Sequence, residues 1–145
     1  MGISKFTNKE ESQKHLSYCI QIQSYLIRKY HVMPKREWFI SLDHEDKFIG
    51  KPREFISEAQ KMRRDSYRCP DLIFYDKEML FIVEVDGYVH YVKSAKTEKR
   101  NNIYLNNKCN FIAIDTYDID GKGRIIDRDI ENLYKELDMK INRFK

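Results

Sequence analysis

The 145-residue sequence predicts a single α/β domain, in which helices flank a central mixed β-sheet. Apolar residues recur at three- and four-residue steps near both ends of the sequence, which is typical of amphipathic helices. Two middle segments, 79–86 and 110–116, are almost continuously apolar, as strands covered on both faces are. Five glycines and three prolines leave little sequence for linkers, so residues 1–145 are expected to form one domain.

The elements are predicted in the order helix, strand, helix, strand, strand, helix, strand, helix. Pro52 suits the first turn of the second helix, and Ser94 is a candidate N-cap of the third. The helices are predicted at residues 8–30, 52–64, 94–107 and 124–143. The strands are predicted at residues 38–42, 70–75, 79–86 and 110–116. The apolar stripe of the last helix consists of Ile126, Ile130, Leu133, Leu137 and Ile141.

Composition excludes several classes of protein. No apolar run approaches the roughly 18–20 residues of a membrane span, and the first residues do not resemble a secretory signal. The three cysteines are odd in number and lie far apart without a CxxC motif, which argues against a disulfide framework or a zinc knuckle. We therefore expect an intracellular protein, cytoplasmic or nucleoid-associated, with no membrane partner. The sequence also lacks a phosphate-binding GxxxxGK[ST] loop and a GxGxxG fingerprint.

The net charge of +4 is mild, but basic residues are concentrated in two segments. Residues 51–68 and 93–108 are rich in lysine and arginine, and they flank a segment with conspicuous carboxylates at 71–86. Positive surface around carboxylates suits a polyanionic substrate that is held by a metal. Solvated helix faces would explain the same distribution.

Strand periodicity predicts which carboxylates meet. Glu84 and Asp86 share one face of the run 79–86. If this run forms a hairpin with 70–75 through an even-numbered loop, Asp71 lies directly opposite Glu84. An odd loop would instead pair Asp71 with Val83 or Val85. The convergence of the carboxylates therefore depends on the register of the hairpin.

Carboxylates gathered at the end of a buried strand pair require a proton, a cationic partner or a hard cation. Asp71, Glu84 and Asp86 form an all-oxygen cluster, which suits Mg²⁺, with Mn²⁺ as a substitute. Zinc would require more histidine or cysteine nearby. Salt bridges with neighbouring lysine and arginine residues are the alternative explanation of these acids.

The pattern Pro70-Asp71, twelve residues, then Glu84-Val85-Asp86 resembles the PD-(D/E)xK signature of restriction-endonuclease-like nucleases. The element order is similar to the αβββαβ core of that superfamily. Residues 83–90 (VEVDGYVH) are also similar to the E-x-D-G-x-x-H stretch of its very-short-patch-repair-like branch. The resemblance covers about residues 70–117, which would form the catalytic core between an N-terminal helix and strand (1–50) and a C-terminal helix (124–145).

The resemblance implies a Mg²⁺-dependent endodeoxyribonuclease that hydrolyses phosphodiester bonds in DNA, in restriction or DNA repair. Asp71 and Glu84 match the metal-binding positions of the signature, and Asp86 stands where the signature has lysine, so it would help to hold a metal. The candidates for activating or orienting the attacking water are His90, Lys96 and Lys99. The candidates for an additional acid are Glu54 and Glu58. The candidates for contacts with nucleic acid are Lys93, Arg100, Arg63, Arg64 and Arg68.

Two other classes of function are compatible with the sequence. Without the motif lysine, the fold could serve as a nucleic-acid-binding module that does not cleave. The chain could also be a small interaction protein with a salt-bridged acidic cluster. An enzyme of this size that cuts both strands is expected to act as a homodimer, because each subunit would contribute one site. His15, His31 and His44 have no partner in the sequence and are interpreted as structural or surface residues, and tyrosines such as Tyr104 suit either base stacking or packing.

Overall fold

The structure is a computed structural model that describes residues 8–41, 49–51, 67–88, 94–106 and 109–145. The predicted helix at 52–64 lies outside these residues. The described helices are α1 (Asn8–Tyr30), α2 (Ser94–Asn106) and α3 (Ile130–Phe144). The described strands are β1 (Phe39–Ser41), β2 (Ile49–Gly50), β3 (Tyr67–Arg68), β4 (Leu72–Asp76), β5 (Met79–Asp86), β6 (Asn110–Asp115), β7 (Tyr117–Ile119) and β8 (Ile125–Asp127).

A mixed three-stranded sheet forms the centre of the described structure. Its strand order is β4-β5-β6, with β5 antiparallel to β4 and parallel to β6. The parallel pair is connected through α2, as parallel strands require a crossover. Together with the helices, this sheet confirms the predicted α/β class. Short strands form a second sheet in the order β2-β1-β3.

The β4–β5 hairpin has the even-numbered loop on which the site prediction depends. Asp76 pairs with Met79 across the two-residue turn Lys77–Glu78, and Leu72 pairs with Val83. One more step of this antiparallel register places Asp71 opposite Glu84. Lys77 has a φ of 58°, a left-handed conformation that is uncommon for a residue with a side chain. The even-numbered loop predicted for this hairpin is therefore confirmed, whereas Asp71 itself lies one residue before β4, outside the paired residues.

The two faces of the central sheet are covered by different helices. On one face, Phe81, Val83 and Val85 of β5 belong to a core with residues of α1 and α3. On the other face, Ile82 packs in a second core with Tyr104 of α2. Residues 79–86 thus alternate between two apolar environments, which explains why the sequence of β5 is almost continuously apolar.

The last predicted helix begins later than expected. Residues 125–127 form β8, which pairs with β7 in a hairpin, and α3 starts only at Ile130. Asp129 is the N-cap, since its side chain accepts a hydrogen bond from the backbone N–H of Asn132. Ile126 is therefore exposed rather than part of the helix stripe. Leu133, Leu137 and Ile141 are buried as predicted.

The other predicted elements differ from the structure mainly at their ends. The first helix spans the predicted residues, whereas the strand predicted at 110–116 ends at Asp115 and the helix predicted at 94–107 is described to Asn106. Hairpin β7–β8 and the short strands β2 and β3 were not predicted. Within the described part of the chain, no helix combines the length and apolar character needed to cross a membrane.

Candidate carboxylate site

The candidate site lies where β4 begins and β5 ends. The parallel strand β6 brings Asp115 beside Asp86 at the same edge, a fourth acid that the sequence analysis did not single out. Glu84 and Asp86 are only 7% and 3% exposed. Burial and the neighbouring Asp86 carboxylate raise the pKa of Asp115. The site is thus a concentration of negative charge at the end of a buried strand.

Glu84 is held from the α2 side of the sheet. The hydroxyl of Tyr104 donates a hydrogen bond of 3.0 Å to its Oε1, and the Nη1 of Arg100 lies 3.4 Å from its Oε2. Burial makes the largest contribution to the pKa of Glu84 and the nearby charge of Asp71 makes the next largest. Together they raise this pKa to about 8, although Arg100 and Tyr104 act to lower it. Glu84 is therefore a much weaker acid than an exposed glutamate.

Asp86 is bound by the same arginine in a bidentate pair. The two terminal nitrogens of Arg100 donate to Oδ1 and Oδ2 of Asp86 at 2.9 and 2.8 Å. Burial lowers the pKa of Arg100, but Asp86 and Glu84 more than offset this effect and the net shift is upward. Arg100, predicted to contact nucleic acid, is thus the cation that lies between two of the predicted metal ligands.

Asp71 is held from the α1 side. Its Oδ2 accepts a hydrogen bond of 2.7 Å from the backbone N–H of Val85, and its Oδ1 lies 3.1 Å from Nε2 of His15. The hydrogen bond with Asp71 makes the largest contribution to the pKa of His15 and the contact with Cys19 makes the next largest. Together they raise this pKa to about 10. His15 is therefore a protonated partner of Asp71 at neutral pH.

The two opposed carboxylates thus receive their partners from different faces of the sheet. Asp71 contacts His15 of α1, whereas Glu84 contacts Tyr104 and Arg100 of α2. They remain close enough for the charge of Asp71 to raise the pKa of Glu84. A cation between the two carboxylates would relieve this unfavourable interaction.

The remaining predicted residues are placed less centrally. Lys96 and Lys99 are exposed on α2. Arg68 lies on β3, and its charge acts to lower the pKa of Tyr104, so it is near the site. Its buried Nε has no hydrogen-bond partner among the described residues. The following predicted residues lie outside the described part of the chain: His90, Lys93, Glu54, Glu58, Arg63 and Arg64.

Three contacting residues were given no role in the site by the sequence analysis. His15 and Cys19 are one helical turn apart on α1, and Tyr104 is on α2. The spacing of His15 and Cys19 shows that they share a helix face, but the sequence does not show that this face meets Asp71. Tyr104, considered for base stacking or packing, is buried against Phe111 with its ring centroid 4.9 Å away.

Comparisons of the chain with models of known protein families, with curated proteins and with solved structures found no match.

Proposed function

We propose that the chain is a metal-dependent DNA endonuclease with a restriction-endonuclease-like core. The observation that carries this proposal is the hydrogen bond of 2.7 Å from the backbone N–H of Val85 to Oδ2 of Asp71, which holds this carboxylate beside the residue that follows Glu84. The even-numbered β4–β5 loop, whose pairing runs to Leu72 with Val83, is consistent with it. The PD…ExD pattern and the E-x-D-G-x-x-H stretch of the sequence favour a nuclease over other uses of such a pair.

The residues present fit a hard divalent cation. Asp71 and Glu84 provide carboxylate oxygens, and Mg²⁺ commonly uses one or two carboxylates together with water and substrate phosphate. When bound, Mg²⁺ would lower the pKa of a coordinated water and stabilise the charge that builds on the phosphate. Mn²⁺ would substitute for it. Asp86 would complete the acidic cluster and, through its bidentate pair, position Arg100.

The cationic residues have separate roles in this proposal. Arg100 would turn part of its hydrogen bonding from Glu84 towards the substrate phosphate, since its contact with Glu84 is the longer one at 3.4 Å. Lys96 and Lys99 on the exposed face of α2, or His90, would orient the attacking water. Arg68 and the basic residues of 51–68 would bind the DNA backbone, which supplies affinity without sequence readout.

The test is a cleavage panel with Mg²⁺ or Mn²⁺ on linear duplex, mismatched duplex, four-way junction and single-stranded DNA. We expect Glu84→Gln to lower the cleavage rate by more than about 100-fold, beyond the 10- to 100-fold typical of residues that only support a metal ligand. Asp71→Asn should have a similar effect. Glu78→Gln, the same chemical change at an exposed position in the β4–β5 turn, is the matched control.

A second candidate is a nucleic-acid-binding module that does not cleave. Arg100 favours the binding module, because its guanidinium pairs with the carboxylate of Asp86 and also contacts that of Glu84, so that these acids have a cationic partner within the protein. In that case DNA binding would persist without cleavage of any substrate in the panel, and calorimetry would detect no binding of Mg²⁺ or Mn²⁺ that depends on Glu84. Metal-dependent cleavage that Glu84→Gln abolishes would exclude the module.

A further inference from the structure

A second cluster of ligand-bearing side chains lies on the α1 side of the candidate site. His15, Cys19 and Asp71 each offer one ligand atom, and these atoms all lie within 4.8 Å of one another. The Nε2 of His15 is 3.1 Å from Oδ1 of Asp71 and 3.6 Å from Sγ of Cys19. The cluster combines nitrogen, sulfur and oxygen, unlike the all-oxygen pair formed by Asp71 and Glu84.

These separations match the edges of a tetrahedral zinc site. Zinc binds histidine nitrogen and carboxylate oxygen at about 2.0–2.2 Å and cysteine sulfur at about 2.3 Å. In a tetrahedron, such bonds place neighbouring ligand atoms roughly 3.3–3.7 Å apart. The separations of His15 Nε2 from Asp71 Oδ1 and from Cys19 Sγ differ from this range by a few tenths of an ångström at most, and the third separation is within 4.8 Å.

The surroundings hold the three ligands in place. His15 and Cys19 lie at positions i and i+4 of α1, so that their side chains project from the same face of a regular helix. Cys19 is 3% exposed and packs in the core shared by α1 and α3. Asp71 is fixed by its hydrogen bond with Val85, which uses Oδ2 and leaves Oδ1 directed at His15.

The cluster also opens onto a cavity. The cavity has a volume of about 210 Å³, which is larger than a single water needs, and it gives an ion and its water a route to the ligands. Cys69, Glu37 and Arg36 line the same cavity, so its wall carries a further thiol, a further carboxylate and a guanidinium. A buried thiol, an imidazole and a carboxylate form a donor set that favours Zn²⁺ over Mg²⁺.

We propose that His15 Nε2, Cys19 Sγ and Asp71 Oδ1 bind a zinc ion, with water in the fourth position on the cavity side. The ion takes the place of the proton that His15 Nε2 shares with Asp71, and the thiol of Cys19 also loses its proton, so that two protons pass to solvent on binding. An open fourth position is typical of zinc sites that bind or activate a small ligand rather than purely structural ones. Asp71 would then bridge this site and the carboxylate pair.

The test uses Co²⁺ as a spectroscopic probe of the full-length chain. We expect one equivalent of Co²⁺ to produce a thiolate-to-cobalt charge-transfer band in the near ultraviolet, and Zn²⁺ to displace it. Cys19→Ser should abolish the band, whereas Cys69→Ser, a matched change of a thiol on the same cavity, should retain it. His15→Gln at a partly exposed position should weaken Co²⁺ affinity by at least about tenfold, since one of three ligands is lost.

Circular dichroism and urea unfolding establish that each variant folds. If Cys19→Ser does not fold, His15→Gln decides the question, because its side chain is 42% exposed and is not part of the core. The proposal is overturned if the wild type shows no thiolate band, if Cys19→Ser or His15→Gln leaves binding unchanged, or if Cys69→Ser removes the band. Glu84→Gln should retain the band, which separates this site from the proposed nuclease site.

Discussion

Arg100 determines the charge balance at the end of β5. It binds Asp86 through both terminal nitrogens and also contacts Glu84, and all three side chains are largely buried. Whether the site binds a metal or not, removal of this guanidinium would leave two buried carboxylates without their cation. A buried pair that loses one partner is destabilised more than an exposed pair, because the remaining charge is not solvated.

We therefore predict that Arg100→Ala lowers the free energy of unfolding by about 3–5 kcal/mol at neutral pH. Arg100→Lys should lie between this variant and the wild type, since lysine keeps the charge but cannot bind Asp86 in the same bidentate way. Urea unfolding measures both. A loss below about 1 kcal/mol for Arg100→Ala would mean that the pair is solvated like a surface salt bridge.

Glu84 gives the metal-free protein a specific dependence on pH. Its pKa is about 8 in the folded state and near the ordinary 4.5 in the unfolded state, so the folded state binds the extra proton between these values. The stability that Glu84 contributes is full below about pH 4.5 and declines as the pH rises through 8. Replacing the carboxyl group of Glu84 with one that does not ionise should therefore remove this loss of stability at high pH.

We predict that the difference in unfolding free energy between Glu84→Gln and the wild type shifts in favour of the variant from pH 5 to pH 8.5. The shift should be up to roughly 4 kcal/mol, since each of the roughly three pH units between pH 5 and the folded-state pKa of about 8 contributes about 1.4 kcal/mol. The measurement is urea unfolding in metal-free buffer at several pH values. Glu78→Gln is the control, and an equal shift in that exposed variant would contradict the assignment to Glu84.

At the residue scale, the sequence predicts which residues meet where this depends only on the alternation of side chains along a strand. The register of the β4–β5 hairpin, with Asp76 paired to Met79 and Leu72 to Val83, follows from a two-residue turn and a period of two, which are both local features. The partners of the site carboxylates could not be predicted in the same way. His15 precedes Asp71 by 56 positions, and only the packing of α1 on the sheet brings them together.

At the scale of elements, α3 shows how a cap fixes the start of a helix. Asp129 has extended backbone angles and its carboxylate accepts from the N–H of Asn132. We predict that Asp129→Ala lowers the free energy of unfolding by about 1 kcal/mol, because one N–H in the first turn loses its partner. Asp129→Asn should retain most of the stability, since asparagine caps equally well.

Urea unfolding of the two Asp129 variants is the measurement, with the helix content followed by circular dichroism. An alanine variant as stable as wild type would mean that water satisfies the same N–H. The cap also explains the error in the prediction of this helix. Ile126 continues the helical spacing of the stripe, but it precedes the cap and pairs with Asp118 of β7 instead.

The long elements could be predicted because a single period covers many residues. Helix α1 and strand β5 each carry an uninterrupted pattern, and both agree with the prediction. The two- and three-residue strands carry too few residues to show a period. Their existence depends on partners elsewhere in the chain, as in the pairing of Ile40 with Arg68.

At the scale of the molecule, Asp138 joins the first described helix to the last. Its carboxylate accepts hydrogen bonds of 2.6 Å from Tyr25, Lys29 and Tyr30, all on α1. The rings of Tyr25 and Tyr134 stack beside it with centroids 3.9 Å apart. Burial raises the pKa of Asp138, but hydrogen bonds from Lys29 and the two tyrosines outweigh burial and lower it below the ordinary 3.8.

We predict that Asp138→Asn lowers the unfolding free energy by about 1–2 kcal/mol at pH 7, since a charged acceptor becomes neutral. Because the pKa is depressed in the folded state, this stabilisation is full above about pH 4 and is lost as the pH falls through the folded-state value. Thermal unfolding at pH 7 and pH 2.5 tests this. If the difference in stability between Asp138→Asn and the wild type is the same at both pH values, the prediction is contradicted.

The position of β5 between two strands and two helical layers also has a mechanical consequence. Residues 81–83 pair with β4 on one side and with β6 on the other, so their amide groups should exchange with heavy water mainly when the sheet opens. From Glu84 to Asp86, β5 pairs with β6 alone, and on the β4 side the backbone N–H of Val85 is bound by the carboxylate of Asp71. The acid that is proposed to hold the ion thus also closes the end of the hairpin.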